Sequence, residues 1–221
     1  MRPVSKPLIF PDGLDCTGIL KGVVRQDIRL DCPFEQAARA FAGDRGTVLL
    51  LSGSHSDAAR YHILALDPWL ELSAKNDRVS LFHQKQHYTC RAEPFQVVQA
   101  VADRFAIRDT DIDLPVLSGL FGYFAYDLKD GIERLPVTCA DPGLPDMVLF
   151  VPSIIVIQDV QSLKTQLLTP QFETQSVPRE NGPETIQRKT DSFFSRLKAV
   201  ETGGTFQVDP EGCTSSFTRD E

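Results

Sequence analysis

The chain has 221 residues, 42% of them hydrophobic, and carries a net charge of -7, with its 23 Lys and Arg scattered rather than clustered. This composition supports a core and argues against nucleic acid as the partner, because phosphate recognition needs grouped basic side chains. No apolar run reaches the roughly 18 residues of a membrane span, the start MRPVSKPLIFPDG lacks the apolar stretch of a secretory signal, and five widely spaced cysteines without a C-x-x-C pair fit reduced thiols in a cytoplasmic protein.

A β-rich piece spans Ile19 to Leu30. A helix follows: Asp31 is placed to cap it, Pro33 suits its first turn, and Phe34, Ala37, Ala38 and Phe41 recur at helical spacing before Gly43. Thr47 to Leu51 reads as a buried strand and, beyond the polar loop SGSHSDAAR, Tyr61 to Leu66 as the next one. Leu70, Leu72 and Ala74 alternate, Asn76-Asp77 turns the chain, and Val79 and Leu81 alternate again, which predicts a hairpin. Pro94 opens a second helix with Phe95, Val98, Ala102 and Phe105 on one face.

Gly119 to Tyr126 reads as a buried strand whose Gly119 and Gly122 leave room for a close neighbour. A Pro- and Asp-rich loop, Val137 to Asp146, leads to the apolar strand Met147 to Ile157, where Pro152 marks an edge position or a bulge. Gln158 to Ser162 turns into a strand around Lys164 to Leu168, and Thr169 to Pro183 reads as a loop or linker. Glu184 to Val200 is a third helix, with Ile186, Phe193, Phe194, Leu197 and Val200 on a shared face. Strands outnumber helices without a βαβ rhythm, so the fold class is α+β, a largely antiparallel sheet with helices on one face. Residues 1–200 form the domain, and the polar stretch 201–221 is its linker onward.

Several blocks resemble one family. Gly119-Leu120-Phe121-Gly122-Tyr123-Phe124-Ala125-Tyr126-Asp127, continuing to Glu133-Arg134-Leu135-Pro136, resembles the run G-G-x-x-G-Y-x-x-Y-D … E-R-L-P. That run belongs to the N-terminal domain of chorismate-utilising synthases, the large components of anthranilate synthase and aminodeoxychorismate synthase. Leu49-Leu50-Leu51-Ser52-Gly53, Arg60-Tyr61-His62-Ile63 with Asp67-Pro68, and Leu144-Pro145-Asp146-Met147 are similar to further family blocks, in the same order. The tail Ser216 to Glu221 resembles the start of the family's catalytic half. Leu51 stands where anthranilate synthases tend to carry an acidic residue, Ser52-Gly53 looks more like the aminodeoxychorismate branch, and His62 stands where many members have a second serine.

The resemblance implies half of a layered α/β sandwich, the other half being a catalytic domain. It implies a non-catalytic, structural or regulatory part in chorismate amination for folate or tryptophan biosynthesis. The partners it implies are the catalytic half, in cis or in trans, and a glutamine amidotransferase subunit. It places Mg²⁺ and the catalytic groups in that other half, so no catalytic, cofactor or metal residue is expected here. The alternative is a stand-alone sensor or adaptor module that binds an aromatic amino acid. In the family the counterpart of Ser52 lies beside a tryptophan pocket. A serine hydroxyl at a strand end can bond an amino acid's ammonium or carboxylate, and it can equally close a local turn with the backbone.

Other polar groups are weaker candidates. His55 and Asp57 share a loop without a nucleophile elbow. His83 and His87 are four apart but lack the H-E-x-x-H glutamate, so they are expected to be solvent-exposed. Asp127 is placed to cap the turn that follows it and Glu133-Arg134 to form an ion pair across a domain boundary, the alternative for these groups being substrate contact.

Overall fold

A computed structural model of the chain describes residues 18–53, 59–83, 86–107, 113–133, 143–173 and 183–200. Its elements run β1 (Ile19–Ile28), α1 (Phe34–Arg39), β2 (Val48–Leu50), β3 (Tyr61–Lys75), β4 (Arg78–His83), β5 (Gln86–Arg91), α2 (Pro94–Phe105) and β6 (Phe121–Phe124). A 3-10 helix (Tyr126–Gly131), β7 (Met147–Asp159), β8 (Thr165–Glu173) and α3 (Pro183–Val200) complete them. The eight strands form one antiparallel sheet in the order β1-β8-β7-β3-β4-β5, with β2 also on β3 and β6 also on β7.

The spine of the sheet is the β3–β7 pair, in register from Tyr61↔Asp159 to Ala74↔Met147 with one slip between Pro68 and Leu70. At that slip Asp67 takes φ 51°, and the Ser153 hydroxyl lies 2.6 Å from the Asp67 carbonyl and 2.5 Å from its carboxylate. The bend splits the sheet into two halves. β2 holds β3 at Ile63–Ala65 and β4 holds it at Leu70–Lys75, while β6 and β8 share the far side of β7 at Met147–Phe150 and Ile155–Gln158. Pro152, which has no N–H to donate, falls in the gap between β6 and β8. A bulge does lie opposite Pro152, but its extra residue is Trp69 of β3, and β7 is a central strand rather than an edge.

Helices cover both faces, not one. Along β7, Met147, Leu149 and Val151 pack with Val97, Val101 and Phe105 of α2, whereas Ile154 and Val156 point the other way, onto α1 and α3. Ile155 and Ile157 share the α2 side but meet Leu114, Val116, Leu117 and Phe121 instead. Burying each such large apolar side chain stabilises the fold by about 1.5–3 kcal/mol.

The helices start as their sequences dictate, with two changes. α2 begins at Pro94, and Glu93 caps it by accepting the N–H groups of Phe95 and Gln96 at 2.9 and 2.8 Å. Its buried face is Val97, Val101 and Phe105, one step round from the expected face, which leaves Phe95 exposed. In α1 the apolar row Phe34, Ala37, Ala38 and Phe41 is buried as its spacing requires, but Pro33 occupies the cap position and Asp31 caps nothing.

Four strand expectations need correction. Tyr61 to Lys75 is one strand, because Asp67 and Pro68 bend it without ending it. The expected buried strand Thr47 to Leu51 is the short β2, paired on one side only, with Leu49 and Leu50 exposed. The expected buried strand at Gly119 is β6, which pairs with β7 alone and exposes Tyr123 and Phe124. The expected loop after Leu168 is the continuation of β8, since β1 supplies a partner out to Ile19↔Glu173.

Candidate functional site

Ser52 follows β2 and faces the start of β3. Its backbone N–H donates to His62 Nδ1 at 3.1 Å, and its hydroxyl donates to the Tyr61 carbonyl at 2.8 Å. Accepting at Nδ1 makes His62 the neutral tautomer protonated on Nε2. The His62 ring rests 5.5 Å from the ring of Phe34, so α1 backs it. The hydroxyl bonds the backbone, as one reading has it, but across the β2–β3 connection to a residue nine places on rather than in a local turn. With its one proton committed, it can only accept from a ligand, which favours an ammonium over a carboxylate.

Just before β3, the Arg60 guanidinium sits 4.8 Å over the Tyr61 ring, 3.3 Å from Asp159 and 3.8 Å from Asp113. Asp159 starts the β7–β8 turn and accepts the N–H groups of Gln161 and Ser162 at 2.9 and 3.0 Å. The Ser162 N–H, then that of Gln161, then Arg60, hold the Asp159 carboxyl below the ordinary carboxylate range against a smaller desolvation penalty. A cavity of about 400 Å³ opens beside this pair, with Arg25, Lys164 and Gln166 on its walls. Ser52 does not line it.

The glycine-aromatic run does structural work. Gly122 has φ 151° and lies so close to β7 that a Cβ there would sit 2.0 Å from the Val148 carbonyl oxygen. Gly119, at φ 152°, has open space around it, so it serves the backbone conformation rather than a close neighbour. Asp146, in the Leu144-Pro145-Asp146-Met147 block, is buried and takes the Asn76 N–H at 2.6 Å and the Lys75 ammonium at 2.9 Å. Beyond Gly122 the run turns outward: Tyr123, Phe124 and Tyr126 are 45%, 52% and 80% exposed, and Phe124 stacks 6.2 Å from Phe95 of α2.

The remaining sequence candidates do not assemble. His83 is buried, contrary to expectation, because it closes β4 against Trp69, whose carbonyl lies 2.9 Å from its Nδ1. His87 is exposed on β5 and stacks on Phe82. Asp127 caps nothing, and its carboxylate reaches Lys129 at 3.5 Å. His55, Asp57 and Arg134 lie outside the described residues, as does the stretch 201–221. Among the described residues no three His, Cys, Asp or Glu side chains converge on a metal position, and no helix is long and apolar enough to cross a membrane. His62 is the contact that sequence reasoning missed. Its only signal is its place in Arg60-Tyr61-His62-Ile63, where the resemblance puts a second serine in many members.

Over 125 residues, 55% of its length, the chain is 32% identical to aminodeoxychorismate synthase component 1 of Escherichia coli (strain K12), covering 28% of that protein. Over 138 residues it is 28% identical to anthranilate synthase component 1 of Cereibacter sphaeroides, across 59% of this chain and 27% of the relative. The chain is homologous to part of component I of these synthases. Its match spans about a quarter of the length of these relatives. No family model matches this component I homologue. A crystal structure of anthranilate synthase component I from Streptococcus pneumoniae TIGR4 aligns with TM-score 0.48 and 22% identity, over 67% of this chain and 33% of that one.

Proposed function

We propose that this component I homologue is the non-catalytic N-terminal part of a chorismate-aminating synthase, of the aminodeoxychorismate or the anthranilate type, in folate or tryptophan biosynthesis. It supports a chorismate-binding catalytic part in cis or in trans, which works with a glutamine amidotransferase subunit in the cytoplasm. The observation that carries this reading is the sequence shared with components I of both branches. The Mg²⁺ implied by the family resemblance has no converging ligands among the described residues, and the reading assigns it to the catalytic part. Ser52 is the proposed contact for a regulatory tryptophan, through its ammonium.

The exposed aromatics Tyr123 and Phe124, on a strand paired on one side only among the described residues, and Tyr126 just beyond it support a docking role, since such a row suits a partner surface. The test is co-purification of the chain with a separately expressed chorismate-binding part of a component I, followed by an assay for ammonia-dependent turnover of chorismate. Turnover by the pair and none by either part alone supports the reading. Turnover by this chain alone defeats it.

One observation favours the second reading, a stand-alone aromatic-amino-acid sensor or adaptor. Val151 to Ile157 is buried on both sides by this chain's own residues, including Leu114, Val116 and Leu117, so the sheet is closed over that stretch without a second half. Light scattering separates the two readings: a stable monomer that ignores the catalytic part supports the sensor.

A further inference from the structure

A second cavity, of about 390 Å³, lies where α3 crosses the bend of the sheet, and none of the family motifs except Asp67-Pro68 reaches it. Its floor is apolar and fixed. Phe41 and Phe193 stack at 5.4 Å, and Leu66 and Ile154 close the base from β3 and β7. One wall is a row on α3, Arg188, Ser192 and Arg196, spaced four apart and therefore aligned along the helix, with Lys189 beside it. The facing wall is Asp44 and Arg45 from the α1–β2 connection and Asp67 from the bend.

The charges around this cavity do not cancel. Arg196 is tied to Asp44, to the Ala40 carbonyl at 2.5 Å, and over the Phe41 ring at 4.4 Å. Lys189 reaches the Asp67 carboxylate at 3.4 Å. Arg45 grips Glu71, just behind the wall, by two hydrogen bonds of 2.6 and 2.5 Å. Arg188 has no ion pair or hydrogen bond among the described residues, and neither has the Ser192 hydroxyl one turn along. Each carboxylate is thus already matched, and one guanidinium and one hydroxyl remain on the same wall. The excess positive charge stands out in a chain of net charge -7. Asp67, a non-glycine residue at φ 51°, holds its part of the wall in a conformation that costs free energy unless the surroundings fix it.

We propose that this cavity binds a small organic oxyanion with an apolar body. Its carboxylate or phosphate would take the Arg188 fork and the Ser192 hydroxyl, and its body would lie on Phe41, Leu66, Ile154 and Phe193. A guanidinium presents paired donors to either oxyanion, and the volume falls in the range of small-molecule sites. The site is separate from Ser52, and its occupancy does not depend on the chain's part in chorismate chemistry.

The full chain is titrated calorimetrically at low salt with phenyl phosphate, benzoate and inorganic phosphate, each to millimolar concentration. Binding of phenyl phosphate, benzoate or both supports the proposal and tells phosphate from carboxylate recognition. Arg188→Ala then weakens binding about tenfold or more, as loss of a charge-assisted hydrogen bond of about 1.5–3 kcal/mol requires, and Arg188→Lys restores part of it. Arg188 is exposed, so both variants keep the fold, and unchanged thermal unfolding confirms it. Three results overturn the proposal: no binding of either aromatic probe, binding indifferent to Arg188→Ala, or inorganic phosphate binding as tightly as phenyl phosphate, which would leave the apolar floor without a role.

Discussion

The buried carboxylate of Asp146 receives the backbone N–H of Asn76 at 2.6 Å, from 70 residues earlier in the chain. Its other oxygen takes the Lys75 ammonium, its N–H donates to the Ala74 carbonyl, and its carbonyl accepts from Ala125. One residue thereby fastens the β3–β4 turn, the start of β7 and the end of β6. Asn76 sits at φ 54° in that turn, and the carboxylate satisfies its N–H.

Replacing Asp146 by Ala is therefore expected to cost about 1.5–3 kcal/mol, since it removes the hydrogen bonds that a buried carboxylate makes to the Asn76 N–H and the Lys75 ammonium. Asp146→Asn keeps one acceptor and should cost less. Urea denaturation of the two variants measures the difference, and equal losses would show that packing rather than hydrogen bonding holds this corner.

The two glycines of the aromatic run should respond unequally to alanine. Both have φ near 150°, a strain of about 1–3 kcal/mol for a side-chain-bearing residue. Only at position 122 does the new Cβ also meet the Val148 carbonyl oxygen, at 2.0 Å. Gly122→Ala should therefore detach β6 from β7 and lower the thermal midpoint well beyond Gly119→Ala. Amide exchange at Tyr123 and Phe124 reports the detachment directly.

Ser52 predicts a selectivity among indole ligands. Because its proton is committed to the Tyr61 carbonyl, an ammonium suits it and a carboxylate does not. Tryptophan and tryptamine should bind more tightly than indole-3-propionate, all weakly if the pocket is completed by another part of the protein. Calorimetry with Ser52→Ala as control tests this: the preference for the amines should disappear in the variant.

The β7–β8 turn sets an acid limit. The carboxyl of Asp159 is held below its ordinary range by the Ser162 and Gln161 N–H groups and by Arg60, so folding favours its ionised form. That contribution is complete above the unfolded carboxylate range, roughly pH 4, and is lost as the pH falls through the lower folded value. Asp159→Asn should thus be less stable than the parent at pH 7, and the gap should close in acid. Thermal midpoints from pH 7 down to pH 3 would show it, and a gap independent of pH would mean that the ionised form is not preferred in the fold.

Local spacing along the chain accounts for what depends on residues a few places apart. The rows Phe34, Ala37, Ala38, Phe41 and Phe193, Leu197 are buried because helical spacing puts each on one side of its own helix. The turn at Asn76-Asp77, the start of α2 at Pro94 and the apolar length of β7 were legible for the same reason. Which strands have two neighbours depends instead on how distant segments assemble. Leu49 and Phe124 are as apolar as Ile155, yet they are exposed because no strand arrives on the far side of β2 or β6 among the described residues. The same holds for polar groups. His83 is buried by Trp69, Ser52 is oriented by His62, and Arg188 faces a cavity because α3 crosses the bend at Asp67. Periodicity records the face a side chain takes on its own element, whereas burial and pairing depend on which distant segment meets that face.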